Sequence, residues 1–456
     1  MARTLWSRST PTDAASFAFT ARSDHPWDAR LLRWDLLGSL GHVEGLAASR
    51  ILTDGEHRRL RAALRAGLRA VASGKLGLGR NDEDVHTAVE NWLTRKYGAI
   101  GEMVHTGRSR NDQVCCDLRL YLKDRLLAVH SAGRTLADAL LEFARRERSS
   151  LWPGYTHTRR AMPSSAALWA GGLAEGLLNT LETLPSLWVQ VDRSPLGSAA
   201  GYGVPLPLRR EAAARALGFG GIDQVVTTPQ TGRGKIEAAA LFWCVQLGHD
   251  VSRLASDVIL YSADEFGLLQ LPAAAVTGSS IMPHKRNPDV FELARGRMAA
   301  LEGDLAAILA IRGGLQGGYH RDYQLFKEPL MRGLERTEAT LALLGAMVPG
   351  LGVNRARARA ALAGDALATD EVMRRVENGE RFRSAYRAVA AALKRGERFI
   401  SPSAADLVGR RRSTGGLGNP GLAVLTRRSS ALRRWESDER KRFDRAIARL
   451  AGRSPR

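Results

Sequence analysis

Between Asn111 and Ser150 the chain has no proline and a single glycine, Gly133, which favours one uninterrupted helix. Such a helix would be about 60 Å long at a rise of 1.5 Å per residue. Similar stretches cover residues 164–184, 234–265, 286–312 and 324–347. Their apolar residues are not confined to one stripe, so each helix needs neighbours on several sides. The sequence therefore predicts an all-α protein whose bundle of long helices continues into partner subunits.

The length of the helical stretches divides the chain into three parts. Residues 1–107 and 354–456 show shorter stretches broken by glycine, whereas residues 108–353 contain the long ones. Connectors rich in glycine and proline separate the long stretches, as expected of loops at helix ends. We therefore predict a small helical domain over 1–107, a central long-helix domain over 108–353 and a small helical domain over 354–456, in which the helices are shorter again.

The formal net charge of +20 could indicate a nucleic acid, an acidic membrane or an anionic substrate as partner. The basic residues are spread along the whole chain, and neither a nucleic-acid-binding motif nor an apolar run of membrane-span length accompanies them. The cysteines Cys115, Cys116 and Cys244 lack the spacing of metal ligands. We therefore expect a cytoplasmic protein with reduced, mostly buried thiols, no metal site, and neither a nucleic acid nor a membrane as partner.

The loop GSSIMPHKRNPD, at residues 278–289, interrupts the helical pattern directly before a helix. A serine hydroxyl becomes a base only where N–H groups, a helix N-terminus and a nearby cation stabilise its alkoxide. Ser279 or Ser280, followed by Lys285 and a helix start, supplies these groups. They suit the removal of a proton from a carbon next to a carboxylate, because the resulting dianion needs cations and oriented donors. The purely structural interpretation of this loop is a helix cap with solvated basic side chains.

Other connectors rich in polar residues also precede long helices. They are HTGRSRNDQ at 105–113, PGYTH at 153–157 and GYHRDYQLFKEP at 318–329. A helix N-terminus stabilises negative charge through its free N–H groups. Several such termini, brought together, would bind a small molecule that carries several negative charges.

These loops, in this order, resemble those of argininosuccinate lyase, a member of the fumarase/aspartase superfamily. GSSIMPHKRNPD is similar to the superfamily signature GSSxMPxKxNP, and HTGRSRNDQV is similar to a segment of argininosuccinate lyase itself. The resemblance covers roughly residues 17–350 and implies a three-domain all-α fold. It also implies a homotetramer with a 20-helix central bundle, in which three subunits build each active site. The implied reaction is the reversible β-elimination of argininosuccinate to arginine and fumarate, a carbon–nitrogen lyase step of arginine biosynthesis without metal or organic cofactor.

The resemblance implies a role for each candidate residue. Ser279 is similar to the catalytic base that takes the Cβ proton, and Lys285 and Asn287 would hold the carboxylate that becomes the dianion. His157 resembles the second catalytic residue and Glu292 its acidic partner, whether His157 protonates the leaving guanidine itself or through water. The residues that resemble substrate ligands are Ser109, Arg110, Asn111, Thr156, Tyr319, Gln324, Lys327, His86 and Arg233.

The sequence departs from the family pattern at several places. The usual THLQRAQP is THTRRAMP at residues 156–163, and the usual segment around Arg233 is TTPQTGRGKIE. The KRNP form of the serine loop resembles adenylosuccinate lyase, so the sequence is also compatible with that enzyme. It is compatible as well with a catalytically idle structural relative, such as the delta crystallins, and with a basic nucleic-acid-binding protein.

Overall fold

The computed structural model describes residues 13–362, 364–399 and 403–453, and its fold is all-α as predicted. The remaining residues of the two predicted terminal domains, 1–12, 363, 400–402 and 454–456, lie outside the described part. The N-terminal part contains the helices α1 Ala14–Phe17, α2 His25–Asp28, α3 Leu32–Ala48, α4 Asp54–Ala72, α5 Val85–Tyr97 and α6 Ala99–Glu102. The predicted domain boundaries stay a prediction.

The predicted long helices are confirmed in the central part of the chain. Its helices are α7 Arg110–Arg146, α8 Ala166–Leu181, α9 Leu184–Val191, α10 Arg210–Ala216, α11 Thr228–Thr231, α12 Lys235–Ser262, α13 Asp289–Ile311 and α14 Lys327–Met347. Helix α7 has 37 residues and packs against α8 and α14, while α12 packs against α13 and α14. These long helices share one apolar core, as expected of helices that are apolar on more than one face.

The expectation of short helices after residue 354 is wrong for the last one. The helices there are α15 Arg355–Ala361, α16 Ala368–Glu377, α17 Phe382–Lys394, α18 Ala404–Gly409 and α19 Leu422–Ala451. Helix α19 has 30 residues and lies against α7. Its buried residues include Leu425, Leu432, Phe443 and Ile447, which recur at helical spacing between many arginines. These few apolar side chains are enough to hold the helix in place because they pack along the length of α7.

Buried charges tie α19 to α7. The Lys123 side chain of α7 is fully buried, and its ammonium group donates to the Asp192 carboxylate. Arg442 of α19 pairs with the same carboxylate, and His130 of α7 donates to Glu436 of α19 at 2.8 Å. Buried charges are costly unless they are paired, so these ion pairs favour the packing of α19 against α7.

Short strands occur where the sequence indicated only connectors. They are β1 Leu151–Thr156, β2 Arg159–Ser165, β3 Arg193–Ser194, β4 Gly221–Ile222, β5 Leu269–Gln270 and β6 Gly352–Val353. Strands β1 and β2 form an antiparallel hairpin that includes PGYTH, which we predicted to be a connector. The hairpin forms because Trp152 and Tyr155 of β1 pack against aromatic side chains of the bundle, including Tyr261.

Cys115, Cys116 and Cys244 are buried and unpaired, as predicted. Burial raises the pKa of each of these thiols, so they stay protonated at neutral pH. Among the described residues, no helix is both long and apolar enough to cross a membrane.

Candidate active site

A cavity of about 180 Å³ lies beside the N-terminus of α7. Seven predicted substrate ligands line it, namely His86, Arg110, Asn111, Arg233, Tyr319, Gln324 and Lys327. Four acidic side chains without a predicted role also line it, namely Asp24, Asp28, Glu83 and Asp84. The cavity therefore combines cations with carboxylates, which suits a ligand that itself carries both signs of charge.

The N-terminus of α7 is fixed by a capping box around Ser109. The Ser109 hydroxyl accepts the Asn111 N–H at 3.3 Å, and the Asp112 carboxylate accepts the Ser109 N–H at 3.0 Å. Ser109 itself does not line the cavity. Its cap orients the first helical turn, and this turn carries Arg110 and Asn111 to the cavity wall.

Lys327, the first residue of α14, is buried between two aspartates from α2 and the turn before it. Its ammonium group contacts the Asp24 carboxylate at 2.5 Å and also donates to Asp28. Burial alone would lower the pKa of Lys327, but the carboxylates of Asp28 and Asp24 outweigh burial and raise it. Burial, opposed by Lys327, raises the pKa of Asp24 to about 6. Lys327 is therefore held as a cation at the cavity.

The arginines of the cavity are paired with acidic residues. Arg110 contacts Asp84 at 2.9 Å and Glu83 at 3.2 Å, and Arg321 contacts Glu83 at 2.9 Å. The buried Arg233 pairs with Glu237 at 3.2 Å. A ligand carboxylate would enter a site whose cations are already oriented, which lowers the cost of ordering them.

The segment before α2 covers this side of the cavity. The Thr20 carbonyl accepts hydrogen bonds from Arg321 and from the Gln324 amide, both at 3.0 Å. Together with the ion pairs of Lys327, these bonds fasten residues 20–28 to the segment 321–327. The N-terminal helices therefore form part of the cavity wall.

His157 and Thr156 lie at the tip of the β1–β2 hairpin, and neither lines the cavity. His157 and Thr158 have φ angles of 51° and 57°, and two successive residues with positive φ are typical of a type I′ turn. Thr158 is β-branched, so this conformation is strained, and its hydroxyl donates to the His157 carbonyl at 2.6 Å. The turn presents the His157 side chain to solvent in this single subunit.

Replacing Thr158 by asparagine should raise the free energy of unfolding by about 0.5–1 kcal/mol, because asparagine tolerates the left-handed conformation. Urea unfolding of the variant and of wild type would measure the difference. Arg159→Asn is the control, since Arg159 is adjacent but lacks a positive φ. A loss of stability in Thr158→Asn would mean that the hydroxyl bond to His157 outweighs the backbone strain.

The serine loop is closed at its base by two backbone hydrogen bonds between Thr277 and Asn287, at 3.1 and 2.9 Å. Within it, the Ser279 hydroxyl oxygen lies 3.4 Å from the Ile281 N–H and 3.2 Å from the Met282 N–H. Both groups donate to Ser279, as required of donors that stabilise an alkoxide. Lys285 is exposed in the same loop.

Asn287 and Glu292 lie at the end of this loop and in the first turn of α13. The Asn287 amide donates to the Gly278 carbonyl at 3.3 Å, and Glu292 is exposed. In the part of the chain that the structure describes, no hydrogen bond or ion pair joins Glu292 to His157. The predicted residues of one subunit therefore form three groups, one in the cavity beside α7, one at the hairpin and one in the serine loop, and only the first group lines that cavity.

Solved structures share this fold. EDDS lyase in complex with formate matches with a TM-score of 0.79 and 24% identity, over 97% of this chain and 95% of that chain. A fumarate lyase from Mesorhizobium sp. BNC1 matches with a TM-score of 0.68 and 16% identity, over 97% of this chain and 100% of that chain. At these identities the likeness concerns the fold alone.

Sequence relatives define the family more closely. A sequence profile of the lyase family matches residues 8–303. The argininosuccinate lyase of Sorangium cellulosum (strain So ce56) is 43% identical over 427 residues, which cover 93% of this chain and 98% of that protein. The argininosuccinate lyase of Thermotoga neapolitana is 37% identical and covers 86% of this chain and 98% of its own length. The chain belongs to the lyase family and, within it, to the argininosuccinate lyases.

Proposed function

We propose that the protein cleaves argininosuccinate reversibly into arginine and fumarate by β-elimination. The observation that carries this proposal is the cavity of mixed charge at the N-terminus of α7, in a chain of this family. Argininosuccinate carries three carboxylates, an ammonium group and a guanidinium group. Arg110, Arg233 and Lys327 suit the carboxylates, and the acidic residues of the same cavity suit the two cationic groups.

Ser279 acts as the base in this proposal. It takes the Cβ proton of the succinyl group, and the electron pair of the broken C–H bond forms the new carbon–carbon double bond. The N–H groups of Ile281 and Met282 support the serine alkoxide, since both already donate to its oxygen. Lys285 and Asn287 hold the carboxylate that gains charge during proton removal. Neither a metal nor an organic cofactor is needed for these steps.

His157 supplies the proton for the leaving group, directly or through one water molecule. As the C–N bond breaks, its electron pair moves to the guanidine nitrogen of arginine, which must be protonated. Glu292 pairs with His157 in the assembled site and favours the imidazolium form. Thr156 lies beside His157 at the hairpin tip and would contact the same substrate.

The proposal includes a homotetramer with a 20-helix core. Large apolar side chains are exposed on the long helices and just before α14, namely Phe242, Leu293, Leu309, Leu325 and Leu343. Their exposure is costly in water, so partner helices should cover them. Association would bring the cavity of one subunit to the hairpin and the serine loop of two others. We further propose that the protein works in the cytoplasm, in arginine biosynthesis.

The function can be tested by mixing the purified protein with argininosuccinate and, in parallel, with adenylosuccinate, while following the absorbance of released fumarate. The proposal predicts fumarate from argininosuccinate only, with arginine formed in equal amount. Fumarate from adenylosuccinate alone would overturn the substrate assignment. No fumarate from either compound, with a folded tetramer, would overturn the reaction itself.

A further inference from the structure

Three buried titratable side chains from different helices meet behind the cavity. They are Asp35 of α3, His86 of α5 and Asp117 of α7, and one ligand atom of each lies within 4.8 Å of the others. The side chains of Asp35 and Asp117 are 1% exposed and that of His86 is 5% exposed. The elimination steps described above use neither aspartate, although burying two carboxylates is costly.

The ring of His86 is oriented by Asp35. Its Nδ1 lies 2.8 Å from Asp35 Oδ1, so Nδ1–H donates to this carboxylate, and 3.8 Å from Asp117 Oδ2. The Gln113 amide also donates to Asp35 Oδ1, at 3.3 Å. Within the described residues, Asp35 Oδ2 and Asp117 Oδ2 are buried without a hydrogen-bond partner. The His86 ring is therefore the nearest cationic partner that the described residues offer to these carboxylates.

The second ring nitrogen of His86 is available to a ligand. His86 lines the cavity, and in the described part of the chain its hydrogen bond is made by Nδ1, not by Nε2. Because Nδ1 donates to Asp35, a neutral ring would carry only a lone pair on Nε2, and this lone pair would repel a carboxylate. A protonated ring instead offers Nε2–H to an anion in the cavity.

The charges around His86 favour the protonated ring. Burial alone would lower the pKa of His86, but the Asp35 carboxylate, through its charge and its hydrogen bond, and then the charge of Asp84 raise it to about 9. The nearest titratable base is His105, whose own pKa is lowered to about 4 by burial and then by the charges of Arg108, Arg110 and His86. Burial, together with the Asp35 carboxylate, raises the pKa of Asp117 well above its usual range. Two carboxylates so close do not readily ionise together, which favours a proton on Asp117.

We propose that Asp35 is a positioning residue that keeps His86 as an imidazolium, whose Nε2–H binds a carboxylate of the substrate. Asp117, holding a proton, completes the cluster without adding a second full charge. This inference rests on the proposed function, because it identifies how that cavity recognises one end of argininosuccinate. It predicts different consequences for two isosteric substitutions of neighbouring buried aspartates.

Asp35→Asn keeps an acceptor for Nδ1–H but removes the charge, so the pKa of His86 should fall towards its ordinary value of about 6.5. The His86 ring would then be partly protonated at pH 6 and neutral at pH 8. We expect the KM for argininosuccinate to rise about 10- to 100-fold at pH 8, as for a lost charged hydrogen bond, and only a few-fold at pH 6. The effect on kcat should be smaller.

Asp117→Asn is the matched control, because asparagine resembles the protonated carboxyl group in shape and charge. Its KM should stay within about threefold of wild type at both pH values. A merely structural role for the cluster would instead give losses of similar size at pH 6 and pH 8. Equal, pH-independent losses in the two variants would therefore overturn the proposal.

Calorimetric titration with succinate separates this inference from the proposed function, since binding needs no turnover. At pH 6 and at pH 8, Asp117→Asn should bind succinate as wild type does at the same pH, whereas the affinity of Asp35→Asn relative to wild type should fall between pH 6 and pH 8. If Asp35→Asn does not fold, His86→Gln replaces it in this test. Wild type should lose succinate affinity as pH rises through about 9, where His86 loses its proton, and His86→Gln should not show this loss. Persistence of that loss would contradict the role of His86. Succinate binding of the predicted kind without cleavage of argininosuccinate would overturn the proposed function alone.

Discussion

Replacing Ser279 by alanine should lower kcat for argininosuccinate by about 10²–10⁴-fold, the usual contribution of a general base. The reason is geometric and electrostatic, since the N–H groups of Ile281 and Met282 already donate to the Ser279 oxygen. These donors stabilise an alkoxide but cannot accept a proton themselves. Substrate affinity should change only a few-fold, because carboxylate recognition is assigned to other residues. Fumarate release and calorimetric binding would measure the two effects separately.

Ser280→Ala is the control for this experiment. Ser280 is adjacent to Ser279, and its hydroxyl makes no hydrogen bond within the described part of the chain. Its substitution should leave kcat within a few-fold of wild type. Near-normal turnover in Ser279→Ala would show that Ser279 is not the base. If Ser280→Ala were inactive in the same experiment, Ser280 would be the base instead.

Mixing two inactive variants should restore activity if the hairpin and the serine loop of one site come from different subunits. A tetramer of Ser279→Ala retains every His157, and a tetramer of His157→Ala retains every Ser279. In randomly mixed tetramers with equal amounts of each chain, about one quarter of the sites would receive both intact residues, since each residue is intact in half of the subunits. Fumarate release after co-expression or refolding of the mixture should therefore approach about one quarter of the wild-type rate.

The matched mixture combines Ser279→Ala with Lys285→Met. Both residues lie in the same loop, so one subunit supplies both to a site, and every loop in the mixture carries one substitution. No recovery is expected there. If the mixture of Ser279→Ala with His157→Ala also stayed inactive while assembling as a tetramer, the hairpin and the loop would have to come from the same subunit.

The long helices could be predicted because the absence of proline and glycine is a local property. The start of α7 is likewise local, since Ser109 and Asp112 form its cap within four residues. The length of helix α19 was not predicted, because its apolar residues are separated by arginines and the partner that buries them is α7, far away in sequence. The β1–β2 hairpin was missed because it depends on aromatic packing against the bundle.

The cavity was predicted only in part, for a similar reason. Asn111 and Lys327 lie in segments with a recognisable pattern. Asp24 and Asp28 belong to the cavity because they bind the ammonium group of Lys327, which lies about 300 positions later in the chain. No spacing in the sequence indicates such a pairing. Likewise, Asp35 and Asp117 lie on helices whose sequences predict buried faces but no partner for either carboxylate. Only the folded chain brings them to His86.

The structure of the Ser279→Ala tetramer with bound argininosuccinate would test the shared active site most directly. The substitution should prevent turnover, so that the intact substrate stays bound. We predict that the substrate lies in the cavity of one subunit, contacting Asn111 and Lys327, while His157 and Lys285 reach it from two other subunits. A substrate contacted by residues of one subunit only, or bound away from the cavity, would contradict this account.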